Sequence, residues 1–250
     1  MTELKNKARI LEVGFLSLAL ITMLGLRPAF CLPQIDNIAS GTVTVSNPDS
    51  STLEINASDR AIINYQSFDV AQNESVVIKL PSINSAILNR VLGNSASQIL
   101  GSVSCNGIFI IVNERGIFFG PNAHIDVGSL IASTRDISDT DFLSSQYIFS
   151  RLSKDQMDAL ILNQGQINIH NGGFGIMIAG AVENQGVITA RVGTIALTAG
   201  EAVHVNIALS GKISIAIDKA QANTVLDAQG NPITDQIKNS GTLSSDGGIV

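Results

Sequence analysis

The side chains best equipped for chemistry are few and scattered. Cys105 lies in Ser-Val-Ser-Cys-Asn-Gly, just before a very apolar run, and no histidine stands near it in sequence. A nucleophilic thiol needs an accessible, electropositive setting, so Cys105 is expected to be a small buried hydrophobe. His124, His170 and His204 are far apart and lack metal-ligand spacing. Asp136, Asp139 and Asp141 crowd into Arg135-Asp136-Ile137-Ser138-Asp139-Thr140-Asp141. They would hold Ca²⁺ only if the loop curled around the ion, and without a glycine-bearing binding loop a solvated loop is the expectation. No nucleophile elbow, phosphate-cradling glycine loop, zinc pattern or Ca²⁺-binding nonapeptide repeat is present. No enzyme activity, cofactor or metal is therefore expected.

One short motif has a clear physical reading. Asn113-Glu114-Arg115-Gly116 follows the run Gly107-Ile108-Phe109-Ile110-Ile111-Val112 and precedes Ile117-Phe118-Phe119. Asn and Gly tolerate positive φ, so they suit the two ends of a tight corner between buried strands, with Glu114 and Arg115 projecting outward. Such a charged corner is either a recognition element or a solvated turn that merely redirects the chain. The run before it is apolar at every position, so both its faces should be buried, as in a strand covered on its outer side by another segment.

The elements that would carry these residues are short strands. Of 250 residues 45% are hydrophobic and 14% charged; only 4% are aromatic, and there is no Trp. Such a core is built from Ile, Val, Leu and Ala, which favours strands packed in repeated layers. From residue 162 a repeat emerges. Leu162-Asn163-Gln164-Gly165-Gln166-Ile167-Asn168-Ile169 is echoed 21 residues later by Glu183-Asn184-Gln185-Gly186-Val187-Ile188-Thr189-Ala190, and again by Lys238-Asn239-Ser240-Gly241-Thr242-Leu243. A period near 20 with an Asn-x-Gly turn is what stacked β-coils require. The third copy stands 55 residues after the second, so an insertion must interrupt the stack. Asp218 to Gln236 carries the turn chemistry of such an excursion, as a hairpin or a short helix. Ser153-Lys154-Asp155-Gln156, followed by Met157 and Leu160, matches a capping box and predicts a short helix before the first repeat. Asp246-Gly247-Gly248-Ile249-Val250 reads as the start of a further coil, with no capping element after it.

Residues 1–31 read as a secretory signal. Lys5, Lys7 and Arg9 precede the apolar run Val13 to Leu26, which has signal length rather than spanning length, and Ala29 and Cys31 sit at the small-residue positions before a cut at Leu32. Loss of Cys31 would leave Cys105 alone, so the exported domain would hold no internal disulfide. The net charge of −6, with no Lys/Arg block longer than a pair in the mature part, argues against nucleic-acid binding.

A family resemblance rests on several patterns between Asn64 and Leu143. Ile63-Asn64-Tyr65-Gln66-Ser67-Phe68, Leu88-Asn89-Arg90-Val91 with Gly93-Asn94-Ser95-Ala96-Ser97-Gln98-Ile99-Leu100-Gly101, Asn113-Glu114-Arg115-Gly116-Ile117, and Asp126-Val127-Gly128-Ser129-Leu130-Ile131-Ala132-Ser133-Thr134 occur in that order. Together they resemble the haemagglutination-activity domain of filamentous haemagglutinins and related two-partner-secretion exoproteins. The family's hallmark turn is Asn-Pro-Asn-Gly-Ile, and here Glu114 and Arg115 replace Pro and the second Asn. A second hallmark, Asn-Pro-Asn-Leu, has no counterpart near Leu80-Pro81-Ser82-Ile83. The resemblance implies an exported exoprotein, an outer-membrane β-barrel transporter with periplasmic domains as partner, and adhesion to host or environmental surfaces or carbohydrate as end use. It makes Asn89, Arg90, Asn113, Glu114, Arg115, Gly116 and Ile117 the candidate secretion-motif residues. The fold expected is a right-handed single-stranded parallel β-helix. Residues 32–60 would form an N-terminal cap, 61–134 the core coils and 162–250 the repeat coils, with extra-helical loops or hairpins near 135–160 and 218–236. Two rival readings are a carbohydrate-active β-helix enzyme, which would need carboxylates converging on one outer face, and a purely structural surface protein.

Overall fold

The structure is a computed structural model and describes residues 32–151, 158–208, 212–226 and 231–250. The expected signal segment and the capping-box stretch Ser153 to Met157 lie outside those residues. So does Asp227 to Gly230 of the expected excursion.

The chain winds as a parallel β-helix with three faces. β1 (Gln34–Ser40) and β2 (Val43–Asp49) precede the coils. Coil strands then follow in chain order: β3 (Thr52–Ala57), β4 (Ala61–Ser67), β5 (Ser75–Lys79), β6 (Ala86–Val91), β7 (Ser97–Ile99), β8 (Ser102–Asn113), β9 (Ile117–Phe119) and β10 (His124–Ser133). After a first excursion come β12 (Leu160–Asn163), β13 (Gln166–Ile169), β14 (Phe174–Ala179), β15 (Ala181–Asn184), β16 (Val187–Ala190) and β17 (Thr194–Ala199), and after a second come β20 (Ile237–Asn239) and β21 (Thr242–Ser244). Face one stacks β3, β5, β8, β10, β13, β16 and β21, each parallel to the next. Face two stacks β4, β6, the second halves of β8 and β10, then β14 and β17. Face three stacks β7, β9, β12, β15 and β20.

Alternating side chains explain the winding. On face one Leu53, Val76, Val103, Ile125, Ile167, Ile188 and Leu243 stand in register, one above the other, and point inward. Apart from Val77 and Val187, the residues that alternate with them are polar and face outward, the pattern of a sheet wetted on one side. Cys105 occupies the neighbouring inward column, between Ile78 and Val127. It is buried there as a small hydrophobe, and burial pushes its thiol pKa up to about 11. The glycines of the Asn-x-Gly turns are required by close approach: a Cβ on Gly186 would meet the Gly165 carbonyl of the coil beneath.

The cap is shorter than the 32–60 expected. β1 and β2 pair antiparallel with β4 and β3 and cover the lower edge of the first coil. β3 itself pairs parallel with β5 and so belongs to the coils. A bare first edge would template pairing with other chains.

Face two is apolar on both sides, as the run at Ile108 to Val112 requires. Ile62, Leu88, Ile110, Ile131 and Ile176 form its outward column and are buried by the two excursions. The first excursion holds the single-turn helix α1 (Asp139–Leu143) and strand β11 (Tyr147–Ser150). The second holds β18 (Ala202–Ile207) and β19 (Ile213–Lys219), so it leaves the coil ahead of the Asp218 expected from turn residues. Strand β18 pairs antiparallel with both β11 and β19. Ile137, Phe142, Tyr147, Phe149, Val203 and Val205 are among the side chains that cover the column.

Candidate functional site

The corner between faces two and three is built by its own side chain. Asn113 is buried; its Oδ1 accepts from the Arg115 backbone N–H at 2.9 Å, and its carbonyl accepts from Gly116 N–H at 3.0 Å. Its Nδ2 donates to the Ser95 carbonyl and to Ser97 Oγ, both at 3.0 Å, tying the corner to the coil beneath. Only Gly116 uses a positive φ, at 116°, where a side chain would be strained; Asn113 acts through hydrogen bonds instead. Glu114 is half-buried and Arg115 exposed, with Arg115 Nη2 reaching Asn94 Oδ1 at 3.4 Å. Ile117 is buried in an inward column above Ser97 and below Ile161.

Arg90 points outward from β6 yet is only 12% exposed, because the first excursion lies over it. Its Nε donates to Asp136 Oδ1 at 2.8 Å, its Nη2 to the Ile137 carbonyl at 2.6 Å, and its Nη1 stands 2.7 Å from Asp139 Oδ1. Burial disfavours the guanidinium charge, but the attraction and hydrogen bonds of Asp136 and Asp139 outweigh it, and the pKa is raised. Asp141 accepts from the Ser138 hydroxyl at 2.6 Å, while the Ser138 Oγ caps α1 by accepting from Asp141 N–H. The three acidic residues that could be read as a cation loop thus clamp and cap the excursion. Asn89 faces the interior. Its Oδ1 accepts from the buried Tyr65 hydroxyl at 2.9 Å, and its Nδ2 donates to the Ile110 carbonyl at 3.0 Å. Tyr65→Phe is expected to cost about 1–3 kcal/mol, because the Asn89 oxygen loses a donor where no water reaches it. Chemical denaturation against wild type measures this, and an unchanged midpoint would show that Asn89 is satisfied otherwise.

The seven motif residues therefore separate. Arg90, Glu114 and Arg115 border one small hollow with Asp136, whereas Asn89, Asn113 and Ile117 are internal braces and packing and Gly116 is the buried turn glycine. On the other side of the corner Glu114 and Arg115 border a groove of about 490 Å³ whose walls include Gln98, Phe118, Leu160, Leu162 and Leu226. Asn106, which with Gly107 belongs to the family-like pattern but is not among the candidate site residues, accepts from Leu80 N–H at 2.7 Å and donates to the Leu80 carbonyl at 2.8 Å. It braces, from the coil above, the corner where the second hallmark turn is missing. Only its place before Gly107, one coil after Leu80, could have signalled this. His124, His170 and His204 stay apart; His170 pairs weakly with Asp126 at 3.4 Å on an exposed face.

A capped parallel β-helix with one covered face and a hydrogen-bonded, charged corner defines a β-solenoid domain. The chain belongs to the TPS secretion domain family, which it matches over residues 37–248, the secretion domain of two-partner secretion exoproteins. The secretion domain of HMW1 from Haemophilus influenzae has a similar structure, with a TM-score of 0.69 and 34% sequence identity over 76% of this chain and 50% of that one. Two heme/hemopexin-binding proteins of Haemophilus influenzae are similar in sequence. One is 34% identical over 134 residues, or 53% of this chain; the other, from strain Rd, is 28% identical over 204 residues, or 80% of it. The chain spans 14% and 22% of those proteins' lengths.

Proposed function

We propose that this chain directs an exoprotein through an outer-membrane β-barrel transporter with periplasmic domains, and that its β-helix then serves as an adhesin scaffold toward a host or environmental surface or carbohydrate. The observation that carries the reading is the family match across residues 37–248. Export across the inner membrane falls to residues 1–31 as signal peptide. Coils that stack outside the membrane bury apolar columns rung by rung, and each buried rung opposes backsliding. Glu114 and Arg115 are the side chains offered to the transporter; Asn89, Asn113, Gly116 and Ile117 hold the corner in shape, and Arg90 holds the first excursion. The role proposed is non-enzymatic; of the outward carboxylates, Glu54 and Glu183 are taken up in ion pairs with Lys79 and Lys238.

The test is secretion from a host that expresses the chain with its partner barrel. Removal of the barrel should abolish surface delivery, and an unchanged yield would sink the transport reading. Glu114→Ala with Arg115→Ala is expected to lower transporter affinity by roughly tenfold or more, the scale of a charged contact, while the melting temperature stays put. Equal secretion by that variant would leave the corner a plain turn.

A further inference from the structure

The two excursions leave and rejoin the coils at one buried place. Arg135, where the first departs, is 1% exposed, and Asp158, where it returns, is also buried. Arg135 Nη2 donates to Asp158 Oδ1 and to Gln221 Oε1, both at 2.9 Å, and its Nε donates to the Gly200 carbonyl at 2.8 Å. The other Asp158 oxygen accepts from Arg151 Nη1 at 3.2 Å and from Gln221 Nε2 at 2.6 Å. Arg151 N–H donates to the Glu201 carbonyl at 2.9 Å, Glu201 N–H donates to the Lys219 carbonyl at 2.9 Å, and the Glu201 carboxylate pairs with Lys219. Gly200, Glu201, Lys219 and Gln221 all belong to the stem of the second excursion, whereas Arg135, Arg151 and Asp158 belong to the first.

A buried Arg–Asp pair is favourable only when its remaining donors and acceptors are matched, and a half-matched cluster is worse than an apolar one. Without the second stem, Arg135 loses the Gly200 carbonyl and Gln221, and Asp158 loses the Gln221 amide. The first stem is therefore poorly matched by itself. Strand β11 is in the same position, since its ladder partner is β18, and an isolated short strand has little stability.

We propose that the Arg135–Asp158–Gln221 cluster is a clasp that makes the two excursions close and open as one unit over face two, while the coils beneath them stay stacked. The cover of Ile110 and Ile131 then closes only when the chain as far as Gln221 is in place, even though α1 and β11 come much earlier in sequence. The proposal does not rest on the transporter reading, because it concerns the purified domain alone.

Hydrogen exchange followed by mass spectrometry on the full chain tests it. Segments spanning β11 and β18 should exchange with one common opening rate. Asp158→Asn should speed both by the same factor, roughly tenfold or more, with β13 and β16 unchanged. Gln221→Ala, which removes no charge, should speed the same two segments together by a smaller factor, and it decides the matter if Asp158→Asn does not fold. Acceleration of one excursion without the other, or of β13 and β16 to the same extent, would overturn the clasp.

Discussion

Asn163→Leu is expected to destabilise the domain by about 2–6 kcal/mol, because it leaves two buried polar groups without partners at about 1–3 kcal/mol each. Asn163 is 0% exposed; its Oδ1 accepts from Gly165 N–H at 3.1 Å, and its Nδ2 donates to Asn184 Oδ1 at 2.8 Å. Asn184 repeats the gesture toward Asn239 Oδ1 at 2.7 Å, so the three repeat copies form a ladder of side-chain amides along face three. Volume is not the obstacle, since the same column carries Phe119 directly beneath Asn163. The loss is polar, and denaturant unfolding should report it as a lowered midpoint. The comparison is Gln164→Leu: the Gln164–Gln185 contact at 2.8 Å lies at the surface, where a shift of about 0.5 kcal/mol or less is expected. Equal midpoints for the two variants would mean that the amide ladder contributes no more than its exposed neighbour.

Phe109→Ala should cost about 3–5 kcal/mol, the range for a large ring removed from a close-packed interior. Phe109 is 0% exposed in the inward column between Ile87 and Leu130. Its ring centroid lies 6.0 Å from that of Phe68, which meets Tyr65 edge-on at 5.1 Å. In a chain with only 4% aromatic residues, three of the largest side chains thus fill the same coils. Smaller neighbours on fixed rungs cannot collapse into the space, so the cavity term adds to the transfer term. Phe118→Ala, at a half-buried outward position on face three, serves as the control and should lose about 1 kcal/mol or less. Thermal unfolding that moved both variants equally would contradict this account of the interior.

The coils were legible because they repeat. Asn163, Asn184 and Asn239 announce one corner three times, and the unbroken apolar run at Ile108 to Val112 announces a strand covered on both sides. The cover itself was not legible. Strands β11 and β18 pair antiparallel across a long stretch of chain, and neither carries a periodic signal that names its partner. Arg135 and Asp158 gave no warning of burial either, since Gly200 and Gln221, which complete their hydrogen bonds, come from the two ends of the β18–β19 hairpin, far along the sequence. The start of that excursion was misjudged because turn residues mark where a chain bends, and β18 had already left the coil without them. In the structure the motif residues fall at a corner and at a neighbouring arginine. Sequence order could not separate those that face solvent from Asn89 and Ile117, which a single-residue change of register would have turned outward.

Asn184 sits one rung above Asn163 after 21 residues and one rung below Asn239 after 55, and the two amide–amide hydrogen bonds are almost equal in length. The spine thus registers height, not contour. A segment inserted between two rungs is invisible to the stack as long as both its ends return to the same corner. Descendants of such a sequence are free to lengthen, shorten or exchange what hangs from the side, and diversity of surface can accumulate on an axis that does not change.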